Sequence, residues 1–139
     1  CYQSQTNCHH DYNAADIFAP TGTTVVAARG GTVVTARDND GSSVGSRVTI
    51  KGTDGNLYYY THMGNGTIRV GAGDIITAGQ EIGKVGTRAD AVGTDMHLHF
   101  DALPPPATSR PGCSGASCRS YPFINVQPVL TQSFNALPD

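Results

Sequence analysis

His97 and His99 stand two residues apart in the stretch Asp95-Met96-His97-Leu98-His99-Phe100-Asp101. On an extended segment, residues at that spacing share a face and lie roughly 7 Å apart at the backbone, so two imidazoles can converge on one small object. Leu98 and Phe100 point the other way, and the segment reads as a strand with one apolar, buried face and one histidine face. Neutral imidazole is the commonest side-chain metal ligand. The plainer reading is a half-exposed strand whose histidines are merely solvated.

Three further histidines, His9, His10 and His62, complete the five in the chain. His9 and His10 come shortly before Asp16, an isolated aspartate that leads into an apolar run. A borderline-soft divalent ion such as zinc takes three protein ligands in a catalytic site and leaves its fourth position for water. One histidine of the first pair, Asp16 and one histidine of the His-x-His would make such a set. Two histidines would then remain beside the metal with no structural job. Hydrolysis at a carbonyl needs a nucleophile stronger than water and a stabiliser for the charge that builds on the carbonyl oxygen. A three-ligand zinc lowers the pKa of bound water to about 7. Two neighbouring imidazoles can take that proton, donate to the oxyanion and protonate the leaving amine.

The elements that must position these groups read as β-structure. The chain has 139 residues, 38% of them hydrophobic, which suits one domain with a modest core. Only 14% are charged, while 17 glycines and 8 prolines favour a turn-rich β protein over a helical one. Thr23–Ala28, Thr32–Ala36, Arg47–Lys51, Asn56–His62, Thr67–Val70 and Gln80–Val85 read as strands, with Gly30-Gly31 and Asp54-Gly55 as turns. A turn or so of helical periodicity is confined to Phe123–Leu130. The expected fold class is all-β, with consecutive antiparallel hairpins and an open groove rather than a sealed barrel.

Net charge of −2 with no basic run argues against nucleic acid as a partner. No apolar stretch is long enough to span a bilayer. No segment reads as a signal peptide, so the chain is expected to be a mature or excised domain. Four cysteines form two tight pairs, Cys1/Cys8 and Cys113/Cys118, each expected to close locally across a polar segment. Such pairing favours an oxidising compartment, so the protein is expected to be secreted or extracytoplasmic, in a periplasm or cell wall.

From His9 to about Ala102 the chain resembles the lysostaphin-type (LytM-like) zinc metallopeptidases, which cleave peptide bonds in bacterial peptidoglycan. Four stretches carry the resemblance: Asp16–Val25 with the following Ala27 and Gly30–Val33; Tyr60-Thr61-His62-Met63; the glycine-punctuated Val70–Gly86; and His97-Leu98-His99-Phe100. Their order and spacing together are specific. The resemblance implies a lysostaphin-type fold over residues 1–139 as a single catalytic domain. It also implies zinc as cofactor, peptidoglycan peptides as partner and a monomer. The implied metal ligands are Asp16, His99 and one of His9 or His10, with His10 favoured. His62 and His97 are the implied non-ligand histidines: His97 as general base or proton shuttle and His62 as oxyanion stabiliser, or the reverse. One departure stands out. The family's first histidine usually lies four residues before the aspartate, where this chain has Tyr12. The alternative function is a catalytically inactive module of the same fold that binds wall peptides or activates a partner hydrolase.

Other conspicuous residues have plainer readings. Tyr58-Tyr59-Tyr60 reads as one core ring between two surface rings, with a groove role as the lesser alternative. Asp38, Asp40 and Gly41 lack the full calcium-loop pattern and read as a solvated turn. Asp95 and Asp101 could orient a histidine or be surface charges. The bond cleaved depends on the groove loops, chiefly 38–46, 87–94 and 104–120.

Overall fold

The computed structural model describes residues 12–130. Its frame is a six-stranded antiparallel sheet in the order β1-β8-β5-β4-β3-β6, accompanied by a two-stranded ribbon of β2 and β7. The strands are β1 (Ala15–Phe18), β2 (Thr24–Val26), β3 (Gly31–Arg37), β4 (Ser46–Gly52), β5 (Leu57–Met63), β6 (Ile75–Ile76), β7 (Glu81–Lys84) and β8 (His97–Leu103). Among the described residues, helical structure is limited to 3₁₀ turns at Ala89–Ala91 and Gly115–Ser120 and one helical turn over 127–130. The all-β expectation holds, with nearly every strand paired antiparallel to its neighbour.

Alternation along the strands divides the sheet into two chemically different faces. Val33, Val48, Ile50, Tyr58, Tyr60, Leu98 and Phe100 pack with Val25 and Ile82 of the β2–β7 ribbon, and with Val85 just beyond it, into the main core. Phe100 sits at its centre, with no exposed surface. Its ring lies 4.9 Å from that of Tyr60 and stacks parallel to that of Tyr58 at 5.8 Å. Burying a ring of that size contributes roughly 2–3 kcal/mol. The Tyr60 hydroxyl stays satisfied there by accepting the Ala28 N–H at 2.9 Å.

The opposite face is covered at one end and open at the other. Leu57 pairs with Leu103, and both pack with Tyr12, Ala14, Cys118 and Phe123 in a smaller apolar cluster. Cys113 and Cys118 are joined in a disulfide that closes the loop above this cluster, as the spacing of the second pair suggested. Cys1 and Cys8 lie outside the described residues.

Two sequence expectations need correction. Thr67–Val70 is not a strand: it runs as an irregular segment, tied by the Arg69 N–H to the Ile82 carbonyl at 3.1 Å, because the glycines around it break the pairing. The tyrosine triplet is arranged the other way round, with Tyr58 and Tyr60 in the core and Tyr59 half-buried on the opposite face. That face is itself partly roofed, so both sides of β8 are buried along its whole length. Two short elements had no strong sequence signal. β1 is the edge strand that carries Asp16, and β6 is two residues long.

Candidate active site

The register of three strands assembles the site. β1 lies against β8 with Asp16 opposite His99 and Phe18 opposite His97. β5 lies against the other edge of β8 with Thr61 opposite His99 and Tyr59 opposite Asp101. Asp16, His97, His99, Asp101, Tyr59 and Thr61 therefore share the face away from the main core. Asp16 Oδ1 is 3.3 Å from His99 Nδ1 and 3.6 Å from His97 Nε2.

His62 reaches the same place by breaking the alternation. Continued regularly from Tyr58 and Tyr60, β5 would turn His62 into the core. Instead Ser46 pairs with Met63 and Val48 with Tyr60, so Thr61 and His62 together stand opposite Arg47. This is a β-bulge, and His62 takes the left-handed backbone conformation at φ +67°. Its ring now points into the site, 4.7 Å from the His97 ring and 5.9 Å from the His99 ring.

Loops hold that ring. His62 Nδ1 is 2.9 Å from the carbonyls of both Val44 and Asp90. Carbonyls only accept, so Nδ1 carries the hydrogen and Nε2 presents a bare lone pair to the cleft. The Asp90 carboxylate caps the Thr87 N–H at 2.8 Å, and the Asp90 side chain lies so close to Gly45 and Gly86 that a Cβ added at either position would meet it at 2.8 Å or less. Burial, reinforced by His99 and His97 and opposed by the two carbonyls, pushes the His62 pKa down to about 4. His62 is neutral at pH 7. His97 is held in a similar way, its Nδ1 donating to the Asp95 carbonyl at 2.7 Å.

His99 is held differently. Its Nδ1 faces Asp16 and its Nε2 lies 2.7 Å from Asp101 Oδ2. Burial disfavours its charged form, but hydrogen bonds and charge from Asp101 and Asp16 outweigh this, and the pKa rises to about 8. The hydroxyl of Tyr12, the residue at the position of the family's usual histidine, lies 3.2 Å from the same Nε2. Tyr12 therefore sits behind His99, on the ring edge away from Asp16. Asp95 divides its roles: its carbonyl holds His97, while its exposed carboxylate pairs with Arg88.

An open cleft of about 290 Å³ lies over these groups. Its walls include Val44, Val92, Thr94, Arg110 and Ser114, which come from the three loops expected to flank the groove, and Tyr59 forms part of the floor. Reading the sequence missed Asp90, Val44 and Arg110, which act through backbone carbonyls or across 9 or more residues of chain. No local pattern marks such partners. The His-x-His-x-Asp alternation was the one available signal for Asp101.

The donor set suits zinc: one carboxylate oxygen and one imidazole nitrogen separated by 3.3 Å, close to the edge of a tetrahedron with arms of about 2.0–2.1 Å. Among the described residues no group of three His, Cys, Asp or Glu side chains is gathered closely enough to hold a metal. The expected third ligand, His10 or His9, lies outside the described residues.

The sequence profile of peptidase family M23 matches residues 10–106, well over half of the chain. The chain belongs to this family. It is 28% identical to the endolysin of Staphylococcus phage 2638A over 133 residues, which cover 92% of this chain but only 27% of that protein. Among solved structures it resembles the catalytic domain of the antimicrobial peptidase lysostaphin from Staphylococcus simulans, with a TM-score of 0.61 and 27% identity over 84% of this chain and 76% of that one. A zinc-containing peptidase from Vibrio cholerae aligns with a TM-score of 0.50 and 25% identity over 68% of this chain and 26% of that one. Membership in family M23 and the mostly antiparallel β architecture agree with the lysostaphin-type resemblance read from the motifs.

Proposed function

We propose that this family M23 chain is a zinc-dependent endopeptidase that hydrolyses peptide bonds of bacterial peptidoglycan outside the cytoplasm. In this reading residues 1–139 form one catalytic domain, acting as a monomer. Asp16, His99 and His10, or His9 in its place, hold the ion, and His62 and His97 handle protons. The observation that carries the proposal is that Asp16 lies within 3.6 Å of both His97 and His99 at the base of an open cleft, with the His62 ring 4.7 Å from that of His97. The similarity to lysostaphin and to a phage endolysin supports a cell-wall substrate, and the zinc-containing relative supports the metal.

Held by Asp16, His99 and His10 or His9, zinc would supply Lewis acidity and would acidify a bound water. The chain's own groups do the rest. Backbone carbonyls hold Nδ1 of both His97 and His62, so Nε2 is the atom each has left for the reaction, and on neutral His62 it is an acceptor. His97, whose Nε2 stands 3.6 Å from Asp16 Oδ1, is assigned to take the proton from water. Once charged, His97 can donate to the oxyanion and then to the leaving amine. His62, kept neutral by burial, accepts a hydrogen bond that aligns the attacking water. This assigns proton shuttling to His97 and replaces a resting oxyanion donor at His62 with an aligning acceptor. The substrate chain would lie along the cleft between Val44 and Val92 on one side and Ser114 on the other.

The test is incubation of the purified chain with isolated cell walls, with and without a chelator, followed by amino-terminal labelling and mass spectrometry of the released muropeptides. New amino termini that vanish with the chelator and return with zinc are the expected result. Binding to walls without any release would overturn the enzymatic reading in favour of an inactive module.

A further inference from the structure

Asp101 has no exposed surface, yet it carries a carboxylate that proton transfer does not use. Burying such a group is costly unless it is paired and fully hydrogen-bonded. It is both. Its Oδ2 accepts from Arg110 Nη2 at 2.6 Å and from His99 Nε2 at 2.7 Å. Arg110 is in turn locked. Its Nη1 donates to the carbonyls of Pro111 at 2.8 Å and Cys113 at 3.0 Å, and its guanidinium stacks 4.4 Å over the Tyr59 ring and 5.2 Å from the Phe123 ring. The Tyr12 hydroxyl closes the arrangement beside His99 Nε2 at 3.2 Å.

Resting on the zinc reading above, we propose that Asp101 and Arg110 are positioning residues that set the metal affinity of this site by fixing the tautomer and ring orientation of His99. A carboxylate only accepts hydrogen bonds, so Asp101 keeps the hydrogen on Nε2 and leaves Nδ1 as the atom facing Asp16. Without Asp101 the imidazole could hold its hydrogen on either nitrogen, and half of its choices would point an N–H at the ion. A carboxylate behind a ligating imidazole also raises its basicity and restricts its rotation. Arg110 makes the device work in a buried setting by compensating the Asp101 charge. Because Arg110 stands just before the Cys113–Cys118 disulfide, in the same connection after β8 that also walls the cleft, that connection does two jobs at once. It borders the substrate path at Ser114 and completes the support of a ligand through Arg110.

A purely structural ion pair would anchor the loop and nothing more, so the test reads metal affinity in folded protein. The full chain is stripped with chelator, and zinc binding is measured by competition against a chromophoric chelator for wild type, Asp101→Asn and Arg110→Met. Asp101→Asn keeps the shape, and Arg110→Met keeps the apolar stem between Tyr59 and Phe123. The unfolding midpoint of each metal-free variant is recorded alongside. The expected result is a 10- to 100-fold weaker zinc affinity in each variant, about the usual cost of losing such a partner, with Asp101→Glu recovering part of it. Unchanged zinc affinity in variants that remain folded would overturn the proposal, whatever happens to the unfolding midpoint. Failure of the wild type itself to bind zinc would instead overturn the reading of the site as a zinc centre.

Discussion

β8 and the end of β5 bring histidines to one cleft by opposite means. β8 follows strict alternation: His97, His99 and Asp101 fall on one face and Leu98, Phe100 and Ala102 on the other, with every residue buried. β5 obeys the same rule through Thr61 and then violates it. A bulge and a left-handed backbone at His62 turn its ring away from the core and onto two loop carbonyls. The regular strand delivers groups whose mutual spacing is set by the pleat. The irregular one delivers a group whose aim is set by loops, at a backbone cost of order 1–3 kcal/mol that the surrounding structure must offset. Ligand geometry needs the first kind of precision. A proton-handling group that must be neutral and aimed across a gap can be supplied by the second.

The largest effects should separate the two histidines of β8. His99→Ala is expected to abolish zinc uptake and wall hydrolysis together. His97→Ala should keep its zinc and lose activity by about 10²–10⁴-fold, the range for a general acid–base group. Metal analysis of the two purified variants checks this, and an emptied site in His97→Ala would show that the two roles are misassigned.

The bulge is tested more finely by substituting His62. Both His62→Ala and His62→Gly should retain zinc and lose most activity. Glycine tolerates φ +67° without a Cβ penalty, so His62→Gly should be the more stable of the two by about 1 kcal/mol in urea unfolding. Equal stabilities, or a more stable alanine variant, would mean the bulge is not strained.

The smallest expected effect concerns pH. The pKa of His62 is pushed down from 6.5 to about 4 in the folded protein. Between those values the unfolded chain takes up more protons at this residue than the folded one, so its contribution to stability is full above pH 6.5 and is lost as pH falls toward 4. An imidazole NMR titration should show the His62 ring neutral down to about pH 5. Titration near its ordinary value would mean that the loop carbonyls do not hold a buried, neutral ring.

Much of this arrangement was legible in the residues themselves. The His-x-His spacing, the β-branched runs and the Asp54-Gly55 turn placed β3, β4, β5 and β8 within a residue or two, because period-two patterning and turn chemistry are local properties. β1 and β6 were not legible, being short edge elements that exist because they pair with β8 and β3. Thr67–Val70 carried strand propensity but found no ladder. The tyrosine triplet has a period without a phase: alternation fixes that Tyr59 opposes its neighbours, and only packing against Phe100 decides which set is inside.

By itself the sequence determined the family, the antiparallel β class and the residue types the chemistry requires, since each is written in motif order and in short-range spacing. Tertiary structure alone decided that Asp16 stands opposite His99, that His62 leaves its strand's regular face, and that Asp101 and Arg110 stand behind His99. These depend on strand register, on a bulge and on contacts between residues far apart in the chain. Such features are fixed by which buried surfaces and hydrogen bonds can be satisfied together, and no local stretch of residues encodes that.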